Sequence, residues 1–250
     1  MPKIITPLRK WDYIAAQRPD YFLANSLNTQ QRIKKYYHRE AIVLYPGIEV
    51  GIHPPIPTPY PNLSPRGRKG ELQKEEFYLA VGRCIPYKKF DLLIEAFNTN
   101  EKKLICVTNT DNTLYRKLKN ISKDNIEWKL GISRKETEEL MAQAKAFLFP
   151  PEEDFWLVPL EAMSHGTPVI AYGKWWALET VAWIGTGTLV PVPYTGIFFK
   201  EQSPESLNTA IEQFETMTFQ SEKIKEHAQQ FSKEIFQKKL VGFIESKMKK

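Results

Sequence analysis

Residues 77–97 have the sequence FYLAVGRCIPYKKFDLLIEAF, and the order of its parts decides the fold class. The continuous apolar run Phe77–Val81 predicts a buried strand. A turn is expected over residues 82–87, followed by a helix over residues 88–98. The apolar residues of this helix share one face: Leu92, Leu93, Ala96 and Phe97. A strand that leads directly into an amphipathic helix is the opening of a βα unit.

The same alternation continues along the chain. Further strands are predicted at residues 104–108, 146–149 and 168–172. Further helices are predicted at residues 114–120, 134–144, 158–165 and 177–181. Short strands that are apolar on both faces, alternating with amphipathic helices, predict a parallel sheet covered by helices on both sides. The predicted fold class is therefore α/β, with a doubly wound, Rossmann-like parallel sheet.

The chain divides into four predicted segments. Residues 1–45 predict a short helix, a strand at 21–24, a second helix capped by Ser26 and a strand at 42–45. Residues 46–72 are rich in proline and glycine, which predicts a linker or a long surface loop. Residues 73–200 form the sheet domain. Residues 201–250 are predicted to be helices that pack back on this domain, beginning after an N-cap at Ser203.

Composition and charge limit the class of protein. The chain has 250 residues, 42% hydrophobic content and a formal net charge of +6. Cys84 and Cys106 lie in apolar runs, which favours buried thiols in a reducing compartment, so a cytoplasmic location is expected. No apolar run reaches the roughly 18–20 residues that span a bilayer. The basic balance favours anionic partners, such as phosphates or a membrane surface, but no nucleic-acid-binding motif is recognised and nucleic acid is not an expected partner.

Two basic residues follow the first strand of the sheet. Gly82 ends that strand, and Arg83 and Lys88 flank the start of the next helix. Ligands of open parallel sheets bind beyond the carboxyl ends of the strands. Two cations beside exposed backbone N–H groups would suit a diphosphate. The alternative interpretation is that Arg83 belongs to a solvated loop and Lys88 is a first-turn residue of the helix.

A pair of carboxylates surrounds the start of a later helix, in the stretch PPEEDFWLVPLEAM of residues 150–163. Glu153 precedes the helix and Glu161 lies one turn inside it. Both would then face one ligand and accept hydrogen bonds from sugar or ribose hydroxyls. The alternative is an acidic loop that stabilises the helix N-terminus. Gly166 is predicted to end this helix in a left-handed conformation, just after His165 in the last turn.

Three stretches together identify a family resemblance: VGRCIPYKKFDLLIEAF, FLFPPEEDFWLVPLEAMSHGTPVIAYG and ALETV. They resemble the C-terminal, donor-binding domain of retaining GT-B glycosyltransferases, the glycosyl transferases group 1 type. Within that family the chain is similar to bacterial mannosyltransferase-like enzymes of surface polysaccharide assembly. The segments RKWDYIAAQRPDYFLANSLNTQQRIKKYYHREAIVLYPGIEV and HAQQFSKEIFQKKLVGFI extend the resemblance over nearly the whole chain.

The resemblance implies roles for individual residues. Arg83 and Lys88 would hold the donor diphosphate and stabilise the leaving nucleoside diphosphate, and Glu153 would bind the transferred sugar. These three are the expected catalytic residues. Glu161 would bind the ribose hydroxyls. The remaining expected donor contacts come from the loop and helix backbone at Gly82, Phe155, Leu157 and Val158.

The resemblance also implies the reaction. A hexose, with mannose as the expected sugar, would pass from GDP-mannose or a UDP-hexose to an acceptor hydroxyl with retention, without a metal or other cofactor. Only the last part of the family's N-terminal half is recognisable before the linker. A separate acceptor-binding polypeptide, or a longer protein, is therefore expected to complete the enzyme. Peripheral contact with the inner membrane face through the basic C-terminal helices is a further expectation.

Three tryptophans depart from the family pattern. Trp156, Trp175 and Trp176 occupy positions at which the family has glycine. Glycine allows the backbone to approach a phosphate or sugar closely, whereas an indole fills that space. The alternative function is accordingly a non-catalytic glycosyltransferase-like module whose donor site is blocked by these side chains.

Overall fold

The chain alternates helices and strands in the order expected of βα units. The computed structural model describes residues 2–50, 74–154, 157–174, 177–181 and 195–248. The strands are β1 (Leu23–Ala24), β2 (Ile42–Val43), β3 (Phe77–Val81), β4 (Lys103–Thr108), β5 (Ile126–Leu130), β6 (Ala146–Phe149), β7 (Val169–Tyr172) and β8 (Gly196–Phe199). The helices are α1 (Pro2–Ala15), α2 (Leu27–Tyr37), α3 (Phe90–Asn100), α4 (Thr113–Ile121), α5 (Arg134–Gln143), α6 (Leu157–Ser164), α7 (Ala177–Thr180), α8 (Pro204–Glu215), α9 (Ser221–Gln229) and α10 (Lys233–Met248).

Six strands form one parallel sheet in the order β5-β4-β3-β6-β7-β8. Tyr78 of β3 pairs with Leu104 on one side and with Ala146 on the other. From β3 the chain adds β4 and β5 toward one edge of the sheet, and it then returns to place β6, β7 and β8 on the other side of β3. The direction in which strands are added therefore reverses between β3 and β6. This is the position at which open α/β sheets bind ligands. The predicted fold class, α/β with a doubly wound parallel sheet, is confirmed.

Helices cover both faces of this sheet. Side chains of a strand point alternately to opposite faces, so Tyr78 packs with the layer of α3 and α8, while Leu79 packs with the layer of α6 and α9. Both side chains are fully buried. The C-terminal helices α8 and α9 contact α3 and α6 respectively. The core therefore lies in two layers, one on each side of the sheet.

The element bounds differ from the sequence prediction in places that have a local cause. The helix expected from residue 88 begins at Phe90 instead, because Lys89 adopts a left-handed φ of 58° and separates a 3-10 turn, Pro86–Lys88, from α3. Strands β5 and β8 were not predicted. Strand β5 lies at the sheet edge and has two charged residues among five, which hides the apolar pattern of a buried strand.

The N-terminal segment has the predicted order of helix, strand, helix and strand. Helix α1 covers Pro2–Ala15, whereas the prediction centred on residues 11–18. Strands β1 and β2 form a separate parallel pair of only two residues each. Ser26 caps α2 as predicted, since its Oγ accepts a hydrogen bond of 3.0 Å from the N–H of Thr29. Residues 51–72, which are most of the predicted linker, lie outside the described residues.

Both cysteines are free and buried, as predicted. Burial raises the pKa of the Cys84 thiol to about 11, so it stays protonated at neutral pH. In the part of the chain that the structure describes, no helix is long and apolar enough to cross a membrane.

Gly166 ends α6 in the predicted left-handed conformation, with φ of 74°. The N–H of Gly166 donates to the carbonyl of Met163, and the N–H of Thr167 donates to that of Ala162. This pair of hydrogen bonds is a Schellman cap. It directs the chain back into β7.

Gly166→Ala is expected to lower the free energy of unfolding by about 2–4 kcal/mol, because a left-handed alanine is strained and its methyl group overlaps a neighbour. An added Cβ would lie 1.9 Å from Ser221 Oγ. Denaturant unfolding measures the loss. Adding Ser221→Ala to this variant should recover most of the steric part and leave the conformational part, since Lys225 Cε and Ser221 Cβ would still lie 3.1 Å from the added Cβ. A double variant no more stable than Gly166→Ala would contradict the steric explanation.

Candidate functional site

The loop between β3 and α3 is fastened to the end of β4. The N–H of Gly82 donates to the carbonyl of Val107 at 3.0 Å. Cys84 is held on both sides: its N–H donates to Thr108 Oγ1 at 3.2 Å, and its carbonyl accepts from Asn112 Nδ2 at 2.8 Å. These contacts fix the loop that presents Arg83 and Lys88 at the carboxyl edge of the sheet.

Lys88 and Glu153 form a buried ion pair at the point where the sheet order reverses. Lys88 follows β3 and Glu153 follows β6, and the Lys88 Nζ donates directly to Glu153 Oε1. Their side chains are only 5% and 15% exposed. Burial lowers the pKa of Lys88 and raises the pKa of Glu153, although their mutual attraction opposes both shifts. Lys88 is thus buried, and it lies in the 3-10 turn before α3 and not in the first turn of that helix.

Arg83 lies beside this pair but remains exposed. Its Nη2 is 3.4 Å from the hydroxyl of Tyr87, and its charge acts to lower the pKa of Glu153. Arg83 and Lys88 thus place two positive charges around one carboxylate. The remaining positive charge favours an anion at this edge of the sheet.

Glu161 points to a different neighbour. It lies within α6, and its Oε1 is 4.0 Å from Arg134 Nη2 at the start of α5. Burial raises the pKa of Glu161, and Arg134 partly opposes that rise. Across the described ranges, no hydrogen bond or ion pair joins Glu161 to Lys88 or Glu153. Sequence reasoning did not select Arg134, which no motif marks.

The remaining predicted donor contacts lie at the start of α6. Leu157 and Val158 are its first two residues, and both are half-buried against the core beneath them. Only their backbone N–H groups are therefore suited to a ligand. Phe155, Trp156, Trp175 and Trp176 lie outside the described residues.

Helix α2 docks onto the same edge through Glu179 of α7. The Glu179 carboxylate accepts hydrogen bonds from the N–H of Leu27 at 2.9 Å, the N–H of Asn28 at 3.3 Å and the hydroxyl of Tyr45 at 2.9 Å. A carboxylate at a helix N-terminus is favoured by the unpaired N–H groups and the helix dipole. Burial, followed by the Glu179 hydrogen bond, raises the pKa of Tyr45.

Asp154 makes a second connection to α2. Its Oδ1 accepts a hydrogen bond of 2.6 Å from Asn28 Nδ2, and its Oδ2 forms an ion pair with Arg32. A cleft of about 590 Å³ lies between α2 and the acidic loop. It is lined by Asn28, Gln31, Arg32, Lys35, Tyr36, Glu152, Glu153 and Asp154. Sequence reasoning missed the α2 residues, because no local pattern relates them to a loop more than 100 residues later.

The site contains no obvious metal centre within the described ranges, since no group of three or more His, Cys, Asp or Glu side chains is arranged to hold an ion. Its features are two cations, a buried carboxylate between them and a polar cleft in front. That combination lies where parallel α/β sheets bind phosphorylated ligands.

Comparison with known protein families shows the family to which the chain belongs. The profile of the family described as Glycosyl transferases group 1 matches residues 65–231, which is about two thirds of the 250 residues. The chain belongs to the Glycosyl transferases group 1 family. A search of curated proteins gives no match.

Solved glycosyltransferase structures share the fold of this group 1 chain. Sucrose-phosphate synthase from Thermosynechococcus elongatus superposes with a TM-score of 0.75 at 18% identity, over 96% of this chain and 61% of the synthase. Alr3699/HepE from Anabaena, solved with UDP and glucose, gives 0.73 at 19% identity, over 96% and 67%. A GtfA/B complex gives 0.65 at 15% identity, over 94% and 47%. The chain spans about three fifths of the length of the synthase.

Proposed function

We propose that this chain is the donor-binding part of a glycosyltransferase that transfers a hexose from a nucleoside diphosphate sugar to an acceptor hydroxyl, with retention. The supporting observation is the buried Lys88–Glu153 ion pair, with Arg83 beside it, at the point where the strand order reverses. Cations there suit a diphosphate, and a carboxylate suits sugar hydroxyls.

In the proposed reaction, Arg83 and Lys88 stabilise the charge that develops on the leaving nucleoside diphosphate. Preplaced cations can perform the role that a metal ion has in other transferases. Glu153 accepts hydrogen bonds from the transferred sugar, and Glu161 from the ribose. Retention, with attack by the acceptor on the face that the diphosphate leaves, follows from the family resemblance and requires no covalent enzyme nucleophile.

The proposed donor is a UDP-hexose or GDP-mannose. Alr3699/HepE, which has the same fold, was solved with UDP-glucose, and this supports the uridine nucleotide. The resemblance to mannosyltransferase-like enzymes supports GDP-mannose. Both donors present a diphosphate to the same two cations, so the base and the sugar must be distinguished by binding measurements.

The N-terminal segment supports a proposed acceptor-binding half outside this chain. Strands β1 and β2 form a pair of only two residues each, and isolated two-stranded pairs are marginally stable. Helix α1 exposes large apolar side chains, with Leu8, Trp11 and Ile14 each at least half exposed. An exposed apolar helix face beside so small a sheet is typical of a surface that packs against a further domain or subunit. Peripheral membrane contact through the basic C-terminal helices remains a prediction.

Isothermal titration calorimetry of the chain against UDP, GDP, ADP, UDP-glucose and GDP-mannose tests the donor site. We expect binding of one nucleoside diphosphate and its sugar in preference to ADP. The same titrations are repeated with Trp156→Gly, Trp175→Gly and Trp176→Gly combined. Binding only by this triple variant would establish the blocked, non-catalytic module. Absence of binding by both proteins would refute the proposed function.

A further inference from the structure

One face of α2 is polar and borders the cleft of about 590 Å³. Its residues recur at the spacing of a single helical face: Asn28, Gln31, Arg32, Lys35 and Tyr36. The opposite wall is the acidic loop: Glu152, Glu153 and Asp154. The cleft therefore has hydrogen-bond donors on the helix side and acceptors on the loop side.

Tyr36 is the aromatic residue of this lining. It is 57% exposed, and the Lys35 Nζ lies 5.3 Å from the centre of its ring. An exposed ring among polar groups offers a flat apolar surface that is not used by the protein core. Sugars match such a surface, because one face of a sugar ring presents C–H groups while the edge of the sugar ring presents hydroxyls.

The charges of the cleft disfavour other ligand classes. Arg32 is paired with Asp154, so the cation of this lining without an ion-pair partner in the described part of the chain is Lys35. Glu153 pairs with Lys88, and Asp154 pairs with Arg32. Glu152 and Lys35 add one charge of each sign, so the lining has no net charge to attract a phosphate group. A lipid chain would cover the charged and polar groups of this lining with an apolar surface, which costs free energy. A neutral, hydroxyl-rich ligand satisfies both walls.

The cleft also shares a residue with the candidate donor site. Glu153 lines the cleft on one side and pairs with Lys88 on the other. A ligand in the cleft would therefore lie next to the sugar that Glu153 is proposed to hold. We propose that this cleft binds the sugar unit of the acceptor that lies next to the donor, stacked on Tyr36 and hydrogen-bonded by Gln31 and Lys35. The rest of the acceptor would contact the proposed separate half. This inference rests on the proposed glycosyl transfer, because that reaction requires an acceptor beside the donor.

Saturation-transfer difference NMR on the 250-residue chain tests the proposal, with the methyl glycosides of glucose, galactose, mannose and N-acetylglucosamine as probes. We expect at least one glycoside to receive magnetisation from the protein. Tyr36→Ala should reduce that signal at least fivefold, and Tyr36→Phe, which keeps the ring, should retain it. Trp11→Ala is the matched control, since Trp11 is an exposed aromatic residue of α1 and does not line the cleft.

The outcomes separate this inference from the proposed donor site. Signals for none of the glycosides, or an equal signal in Tyr36→Ala, would overturn the acceptor site even if UDP or GDP binds. Arg83→Ala should weaken nucleotide binding while the glycoside signal persists, because Arg83 is exposed and does not line the cleft. Glycoside binding that depends on Tyr36, with no nucleotide bound by any variant, would support a sugar site while removing the glycosyl transfer on which its acceptor role rests.

Discussion

Lys88→Ala is expected to weaken nucleoside diphosphate binding on the order of 10- to 100-fold, because a charge-assisted contact to the diphosphate is worth roughly 1.5–3 kcal/mol. It should also destabilise the fold by about 3–5 kcal/mol, since Glu153 would be left as a buried charge without its partner. The two side chains are only 5% and 15% exposed, so bulk water solvates the unpaired carboxylate poorly. Calorimetry measures the first effect and denaturant unfolding the second.

The stability loss should depend on pH, and its direction follows from Glu153. Burial already raises the pKa of this carboxyl, and removing Lys88 removes the main opposing effect. A group whose pKa is higher in the folded state binds more protons there, so stability falls as pH rises from its unfolded pKa through its folded pKa. We therefore expect Lys88→Ala to lose more stability at pH 8 than at pH 5.

A double variant separates folding from binding. Adding Glu153→Gln to Lys88→Ala removes the unpaired charge, so most of the stability should return, while the diphosphate contact stays lost. Arg83 is retained in both proteins. Unchanged nucleotide affinity in a folded Lys88→Ala protein would exclude Lys88 from the donor site. Equal stability losses at pH 5 and pH 8 would contradict the assignment to Glu153.

The fold class was predictable because it depends on local periodicity. The run Phe77–Val81 and the helix after it determine each other's packing, and strands β3 and β6 lie at their predicted bounds. The unpredicted strand β8 begins at Gly196, whose absent side chain allows close approach to the backbone of Val169. The need for glycine at this position comes from the neighbouring strand, so the pattern of the four residues of β8 does not reveal it.

The candidate site was predictable only in part. Lys88 and Glu153 were selected because each follows a strand, and parallel strands bring such residues to one edge. Their direct pairing could not be predicted, since it depends on the 3-10 turn and the left-handed Lys89. The contacts of Glu179 with α2 join residues about 150 positions apart, and the partner of a helix N-terminus leaves no mark in the local sequence.

Glu179→Ala is expected to release α2 from the sheet domain and to cost about 2–4 kcal/mol, because three hydrogen bonds to one carboxylate are lost together. The amides of Leu27 and Asn28 should then exchange with solvent much faster, while the amides of β3 remain protected. Hydrogen exchange followed by NMR or mass spectrometry measures this difference. Tyr45→Phe, which removes only the hydroxyl contact, should have a smaller effect, of about 1 kcal/mol.

The same variant tests whether the cleft depends on this docking contact. Helix α2 forms one wall of the cleft, and Glu179 holds its first turn. If Glu179→Ala loosens α2, glycoside binding should weaken although Tyr36 is unchanged, whereas nucleotide binding at Lys88 should persist. Glu179→Gln keeps an oxygen acceptor without the charge, so its glycoside binding should be weaker than that of the unaltered protein and stronger than that of Glu179→Ala. Unaltered exchange at Leu27 and Asn28 in Glu179→Ala would mean that Asp154, through Asn28 and Arg32, is sufficient to position the helix.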